Sequence, residues 1–214
     1  HIYDNFIFVI CNFKMLHLIF ESSTHAAIFF SIFLAWIVFE DAGVMIMLAE
    51  ERRNFKTSEL KDLALLLLSP VGILLLTMIL TYINYYTGIP TLPSWSFYAG
   101  ISLLILGIAF REWSVFTLAG KVYFSSSSQK RHTLVTSGPY GFVRHPAYGA
   151  ALIIVIAMSL SFRSTVSLIF ATTIVYLILR DRAIREEKNL IQILGDDYIK
   201  YMKKVRKRFI PFLL

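Results

Sequence analysis

The feature that most limits what this chain can become is a series of long apolar segments, each bounded by polar or charged residues. Residues 26–48, 63–84 and 97–118 each reach the about 20 residues needed to cross a hydrocarbon core. In lipid every backbone polar group must be satisfied within its own segment, so such stretches read as helices. Residues 147–179 form one tract too long for a single crossing, and it is broken at Phe162-Arg163-Ser164. It reads as a helical hairpin with Arg163 at its tip near the far interface. Pro70 lies inside the second segment and reads as a kink. The expected architecture is all-α: a polytopic membrane helix bundle of about five spans, with a cytoplasmic pocket formed by a loop and a C-terminal helix.

Composition agrees with this pattern. Apolar residues make up 57% of the 214 residues and charged residues 16%. Soluble domains sit near ~45–50% and ~25%, and disordered tails are less apolar still. A lone cysteine, Cys11, excludes an intramolecular disulfide framework and any Cys-rich zinc module. Residues 2–20 are apolar but interrupted by Asn5, Asn12 and Lys14. They read as a poor span, an interfacial helix or a segment foreign to the native chain, without the small-residue cleavage site of a signal peptide. Three regions follow: an N-terminal segment at 1–25, three spans at 26–119, and a region at 120–214 that holds the candidate active-site segments.

Charge sets the orientation. The net charge is +7, and it gathers at the ends of apolar segments. Arg52, Arg53, Lys56 and Lys61 follow the first span. Lys121, Lys130, Arg131 and Arg144 lie in an acid-free loop at 120–144, and Arg180, Arg182, Arg185, Lys188 and residues 203–208 lie in the tail. The loop at 85–96 carries no charge. With about five spans, all the basic segments fall on one side, which is the cytoplasmic side. The expected partner of this charge is the anionic leaflet rather than nucleic acid.

Polar residues concentrate in two segments on that side. The first is the loop before residue 148. Ser137-Gly138-Pro139 signals a turn, and Arg144-His145-Pro146 stands just before an apolar helix. Pro146 suits a first helical turn, and helix-start amides hold anions. A basic membrane-boundary anchor with a proline start is the other reading of this loop. The second segment starts at Arg180. Arg182 and Glu186 are four apart and share a helix face, Glu187 points toward a neighbouring stripe, and Gly195 is a helix stop. A solvated helix held by i,i+4 ion pairs is the alternative, although charges this close to a bilayer core favour function. Glu40, Asp41, Arg111 and Glu112 read as charges that pair across helices and hold the bundle. His17 and His25 lack partners at metal-ligand spacing, so no metal is expected.

His132-Thr-Leu-Val-Thr-Ser-Gly-Pro-Tyr140, Arg144-His-Pro-Ala-Tyr148, Arg180-Asp-Arg182 with Glu186-Glu187, Gly195-Asp-Asp-Tyr198 and Arg208-Phe-Ile-Pro211 occur in that order. Together they resemble the isoprenylcysteine carboxyl methyltransferase family of integral membrane enzymes. The resemblance covers roughly the last 90 residues of the 214. It implies S-adenosylmethionine as methyl donor, bound without a Rossmann domain. It implies a cofactor site at Gln129, His132, Thr133, Leu134, Val135, Tyr140, His145, Pro146, Ala147, Tyr148 and Glu186. It also implies Arg182 at the substrate carboxylate, with Arg144 and Glu187 as further catalytic candidates. Ala150 stands where the family usually has Gly, and Ala183-Ile184-Arg185 replaces a more acidic stretch. These departures bear on the substrate more than on the cofactor.

The implied substrate is a lipophilic carboxylate, a prenylated cysteine or an analogue. The implied location is the endoplasmic reticulum in a eukaryote or the plasma membrane in a prokaryote. The residues suit this chemistry. A carboxylate is ionised at neutral pH and attacks a sulfonium methyl without a general base. Alignment then supplies on the order of 7–11 kcal/mol, water exclusion strengthens the local electrostatics, and an arginine grips the carboxylate with two hydrogen bonds. Methylation of a phospholipid amine or another lipophilic small molecule is the alternative, and it requires a base. A non-enzymatic membrane protein on the same scaffold is the third reading.

Overall fold

A computed structural model describes residues 19–51, 57–118 and 134–209, with backbone alone for residues 40–51 and 57–69. Its helices are α1 (Ser23–Glu51), α2 (Thr57–Tyr86), α3 (Trp95–Leu118), α4 (Pro146–Ser161), α5 (Thr165–Leu194) and α6 (Asp196–Lys204), with a short 3-10 turn at Gly138–Gly141. No strand occurs among the described residues. Pro70 lies within α2. Of the described helices, α3 alone is long and apolar enough by itself to cross a membrane. Ser23–Phe39, Pro70–Tyr86 and Pro146–Ser161 are shorter apolar helices. The side chains of Glu40 and Asp41 lie outside the described residues.

α3 and α4 pack antiparallel with almost no side chain between them. A Cβ on Gly100 would stand 2.5 Å from the backbone nitrogen of Ser161, and one on Gly107 would stand 3.0 Å from Ile153 and Ile154. Such close backbone approach lets van der Waals packing hold the two helices together. Ser96 adds a hydrogen bond from its hydroxyl to the carbonyl of Leu160, 3.1 Å away. Farther along, the buried guanidinium of Arg111 lies 5.9 Å from the centroid of the Trp36 ring. This cation–π contact ties α3 to α1.

The tract at 147–179 turns at Phe162–Ser164. Arg163 takes a φ of 54°, in the left-handed region, which costs a non-glycine residue on the order of 1–3 kcal/mol. The surroundings hold it there. Its carbonyl accepts the Leu92 amide at 2.9 Å, its Nε donates to the Leu92 carbonyl at 2.9 Å, and its guanidinium pairs with Glu21. Ser164 caps α5 by accepting the Ser167 amide at 3.0 Å. The fully buried Asn84 accepts the Val166 amide at 2.9 Å and donates to the Ile89 carbonyl at 2.8 Å. Two of the amides that a helix start leaves unpaired are thereby satisfied.

An aromatic cluster fills this end of the bundle. Phe20, Phe29, Phe33, Trp36, Phe97 and Phe162 are all buried, and the Phe20 and Phe162 rings meet edge to face at 5.5 Å. Outside, Leu75, Ile79, Leu106, Ile169, Phe170, Leu177 and Ile178 are exposed, a surface suited to lipid and not to water. α5 does not stop where the apolar tract ends at 179. It continues unbroken through the charged segment to Leu194 and stops at Gly195. Backbone hydrogen bonding carries the helix past the change in polarity, so α5 links the apolar bundle to the polar segment as one continuous helix.

The close α3–α4 contact is directly testable. Gly100→Ala should lower stability by about 1–3 kcal/mol, the usual cost of overpacking. Gly72→Ala, at an exposed helical position with no atom within 4 Å, should instead gain about 0.5–1 kcal/mol. Thermal unfolding in micelles, followed by circular dichroism, compares the two.

Candidate active site

The site is built where the start of α4 meets the polar half of α5. Ala171, Val175, Ala183 and Glu187 are all buried on α5, at intervals of four or eight residues that keep them on one face. The periodicity that buries three small or branched side chains therefore buries a carboxylate as well. Arg182 and Glu186 lie at the margin of that stripe, about two-fifths exposed.

Glu187 is held by cations from two other parts of the chain. Arg144 Nε donates to its Oε1 at 2.7 Å, and His145 Nε2 lies 3.3 Å from the same oxygen. Arg208 donates to Oε2 through Nη2 at 2.9 Å and through Nε at 3.2 Å. Burial alone would raise the Glu187 pKa. The hydrogen bonds from His145, Arg208 and Arg144 outweigh it and hold the carboxyl well below the usual range, at about 2. Glu187 is therefore ionised at neutral pH.

Arg144 also grips the chain that carries Arg208. Its Nη1 donates to the carbonyls of Val205 and Arg206 at 2.8 and 2.7 Å. The backbone amides of Arg144 and His145 donate to the carbonyls of Lys207 and Arg208 at 2.9 and 2.8 Å. Residues 205–209 thus form a strap laid along the residues just before α4. Gly149 admits it, because a Cβ there would stand 2.1 Å from the Phe209 carbonyl oxygen. The Phe209 ring then packs beside His145, Tyr148 and Tyr176.

A second group faces outward. The His145 and Tyr148 rings are stacked, parallel within 3° at 5.4 Å. Tyr148 donates its hydroxyl to Glu186 Oε1, and Arg182 Nε donates to the same oxygen at 3.1 Å. The Arg182 guanidinium also lies over the Tyr148 ring, 5.7 Å from its centroid. His145 Nδ1 lies 3.7 Å from Glu186 Oε2. His145 therefore stands between a buried carboxylate and a half-exposed one.

The other expected site residues are distributed around this pair. Pro146 starts α4 and is buried, and Ala147 is half-buried in the first turn. Val135 and Tyr140 are buried. Leu134 packs on a cluster of Tyr198, Tyr201 and Val205. Tyr201 donates its hydroxyl to the Tyr140 carbonyl at 2.7 Å, and burial pushes its pKa up to about 12, so it stays a neutral donor. Gln129, His132 and Thr133 lie outside the described residues. Sequence reasoning left Arg208, Phe209 and Tyr201 off the site. The Arg208-Phe-Ile-Pro211 motif was the signal for the first two, but nothing in spacing joins it to Glu187.

Comparison with known proteins locates this geometry. Residues 100–192 match the isoprenylcysteine carboxyl methyltransferase family. The match takes in α4, Arg144, His145, Tyr148, Arg182, Glu186 and Glu187. The protein-S-isoprenylcysteine O-methyltransferase of Rattus norvegicus is 32% identical over 114 residues, 52% of this chain and 40% of that protein. The chain matches less than half the length of that relative. Protein-S-isoprenylcysteine O-methyltransferase B of Arabidopsis thaliana is 27% identical over 186 residues, 85% of this chain and 91% of that protein. A solved structure of the eukaryotic intramembrane Ras methyltransferase, isoprenylcysteine carboxyl methyltransferase, superposes with a TM-score of 0.63. It is 20% identical and covers 92% of this chain and 71% of that one. The all-helical fold is thus like that of this solved structure.

The buried carboxylate gives a sign-definite prediction. The Glu187 pKa is lowered in the folded state, so its stabilisation is present above the ordinary carboxyl range and lost as pH falls from about 4 toward 2. Glu187→Gln should cost about 3 kcal/mol at neutral pH, because two guanidinium groups lose their counter-charge. The variant should also show less of the acid-dependent loss. Thermal unfolding of both proteins across that pH range measures the two effects.

Proposed function

We propose that this protein is an S-adenosylmethionine-dependent O-methyltransferase that methylates the C-terminal carboxylate of a prenylated cysteine. The observation that carries the reading is the meeting of Arg182, Glu186, Tyr148 and His145 at one half-exposed site. They come from segments more than thirty residues apart and lie within the residues that match the family. The names of the relatives, protein-S-isoprenylcysteine O-methyltransferases, support the substrate class. No lipid-amine methyltransferase is among these named relatives.

The residues fit the cofactor by the chemistry of their donor set. The Glu186 carboxylate and the stacked His145–Tyr148 faces suit a cationic ligand. When bound, S-adenosylmethionine supplies a methyl group on a sulfonium. Glu186, His145 and Tyr148 would hold it, with Leu134, Val135, Tyr140, Pro146 and Ala147 around them and Gln129, His132 and Thr133 from the preceding loop. Arg182 binds and orients the substrate carboxylate. That carboxylate is already ionised, so no residue has to remove a proton. Arg144 and Glu187 are buried in the clasp behind the site, and their role is to position His145 and the strap. The apolar helices α1 to α5 span the bilayer. The site lies at the cytoplasmic face, with the prenyl tail entering from lipid and the cofactor from water.

Arg182→Ala should suppress methyl transfer to N-acetyl-S-farnesylcysteine by about a hundredfold, equivalent to the roughly 3 kcal/mol of a charge-assisted pair. Binding of S-adenosylmethionine should change little. Tritiated methyl transfer in reconstituted membranes, scored as base-labile ester, and equilibrium binding of the cofactor measure the two. Loss of both together would remove Arg182 from the substrate role. Label appearing only in phosphatidylethanolamine would replace the carboxylate with an amine.

A further inference from the structure

The end of α6 and the strap that follows it form the most densely cationic part of the described chain. Lys203, Lys204, Arg206, Lys207 and Arg208 fall within six residues, and no acid occurs from 198 to 209. Lys203, Lys204 and Arg206 are exposed, and Lys207 is half-buried. Arg208 pairs with Glu187; no acid among the described residues pairs with the other four. Asp197, the nearest acid in the chain, lies 3.8 Å from Lys200. Like charges so close repel one another, and among the described residues the strap is held by the ion pair to Glu187, four hydrogen bonds to carbonyls, the Phe209 ring and the packing of Val205 on Tyr198 and Tyr201. Something of opposite charge outside the protein would lower its free energy in the closed position.

The fold places this segment at the membrane edge. Phe209 packs on Gly149 and Tyr148 in the first turns of apolar α4. Trp113, Phe116 and Phe142 are exposed at the same end of the bundle, where a Cβ on Gly138 would lie 3.1 Å from Thr117 and 3.6 Å from Trp113 Nε1. Large aromatic side chains at one level mark a bilayer–water boundary. A run of Lys and Arg beside such a boundary is attracted to anionic headgroups.

We propose that Lys203, Lys204, Arg206 and Lys207 dock on anionic phospholipid headgroups of the adjacent leaflet, and that this docking holds the 205–209 strap closed over Glu187 and the start of α4. The lipid surface is thereby a regulatory partner of the site. The bond from lipid to site is mechanical: the cations that meet headgroups share a backbone with the carbonyls that bind Arg144. Lys203 and Lys204 touch neither cofactor nor substrate residues, so they tune closure without belonging to the chemistry.

The test reads closure itself and needs no methyl transfer, so it stands or falls separately from the enzymatic reading. The amides of Arg144 and His145 donate to strap carbonyls, and their hydrogen exchange reports on the strap. The full chain is placed in phosphatidylcholine vesicles and in vesicles also containing phosphatidylserine. Exchange at both amides should slow by about tenfold with phosphatidylserine, equivalent to somewhat over one headgroup contact, and the slowing should vanish in high salt. The double variant Lys203→Gln, Lys204→Gln should exchange as wild type does in phosphatidylcholine and respond less to phosphatidylserine. Equal exchange in both vesicles would overturn the proposal, as would a double variant with the full response. Equal protection by soluble glycerophosphoserine would also overturn it, because it would show a pocket for a free anion in place of a surface.

Discussion

A single buried carboxylate organises the polar half of this molecule. Glu187 receives hydrogen bonds from the residues just before α4 and from the C-terminal strap, and without it Arg144 and Arg208 would be two like charges pressed together in a low-dielectric setting. Taking an acid out of water is expensive, and the cost is offset here because both oxygens are saturated by charged donors. The consequence is geometric. With Glu187 fixed, the plane of His145 is fixed, Tyr148 stacks on it, and Glu186 one residue away is presented outward beside Arg182.

The two faces of α5 divide the labour. Glu187 lies on the buried stripe and serves the scaffold, while Arg182 and Glu186 lie at its open margin, where the proposed ligand would meet them. Neighbouring glutamates of identical chemistry thus differ only by the rotation of about 100° between successive helical residues. The exposed Asp181–Arg185 pair on the same helix is an ordinary solvated i,i+4 pair, so three kinds of charge coexist within seven residues.

Much of the fold was legible because hydrophobic length is written locally. The three apolar segments became helices, and the break at Phe162-Arg163-Ser164 became a turn, since a run that long cannot cross a bilayer once. What local reading missed was the continuation of α5 past the polarity change, because helix propagation does not depend on side-chain polarity. In the site, Arg182 and Glu186 were readable as one face, and the motif at Arg144-His-Pro tied the loop to a family. The clasp was not readable. Arg208 is twenty-one residues from Glu187 and sixty-four from Arg144, and its neighbours Lys207 and Arg206 look identical to it in a list of charges. Only the turn at Gly195 and the return of α6 decide which of the three cations reaches the carboxylate.

The strap lying against Gly149 also sets an order of events. Chains fold as they emerge, from the N-terminus onward, and the apolar helices are complete once residue 194 has been made. Arg144 and Glu187 can already meet at that stage, but the carbonyls of Val205 to Arg208 and the second guanidinium do not yet exist. Until the strap is synthesised, the Glu187 Oε2 therefore lacks the charged donor that Arg208 brings to it. A chain cut before Val205 would keep the helices and lose the four carbonyls and the second guanidinium that complete the clasp.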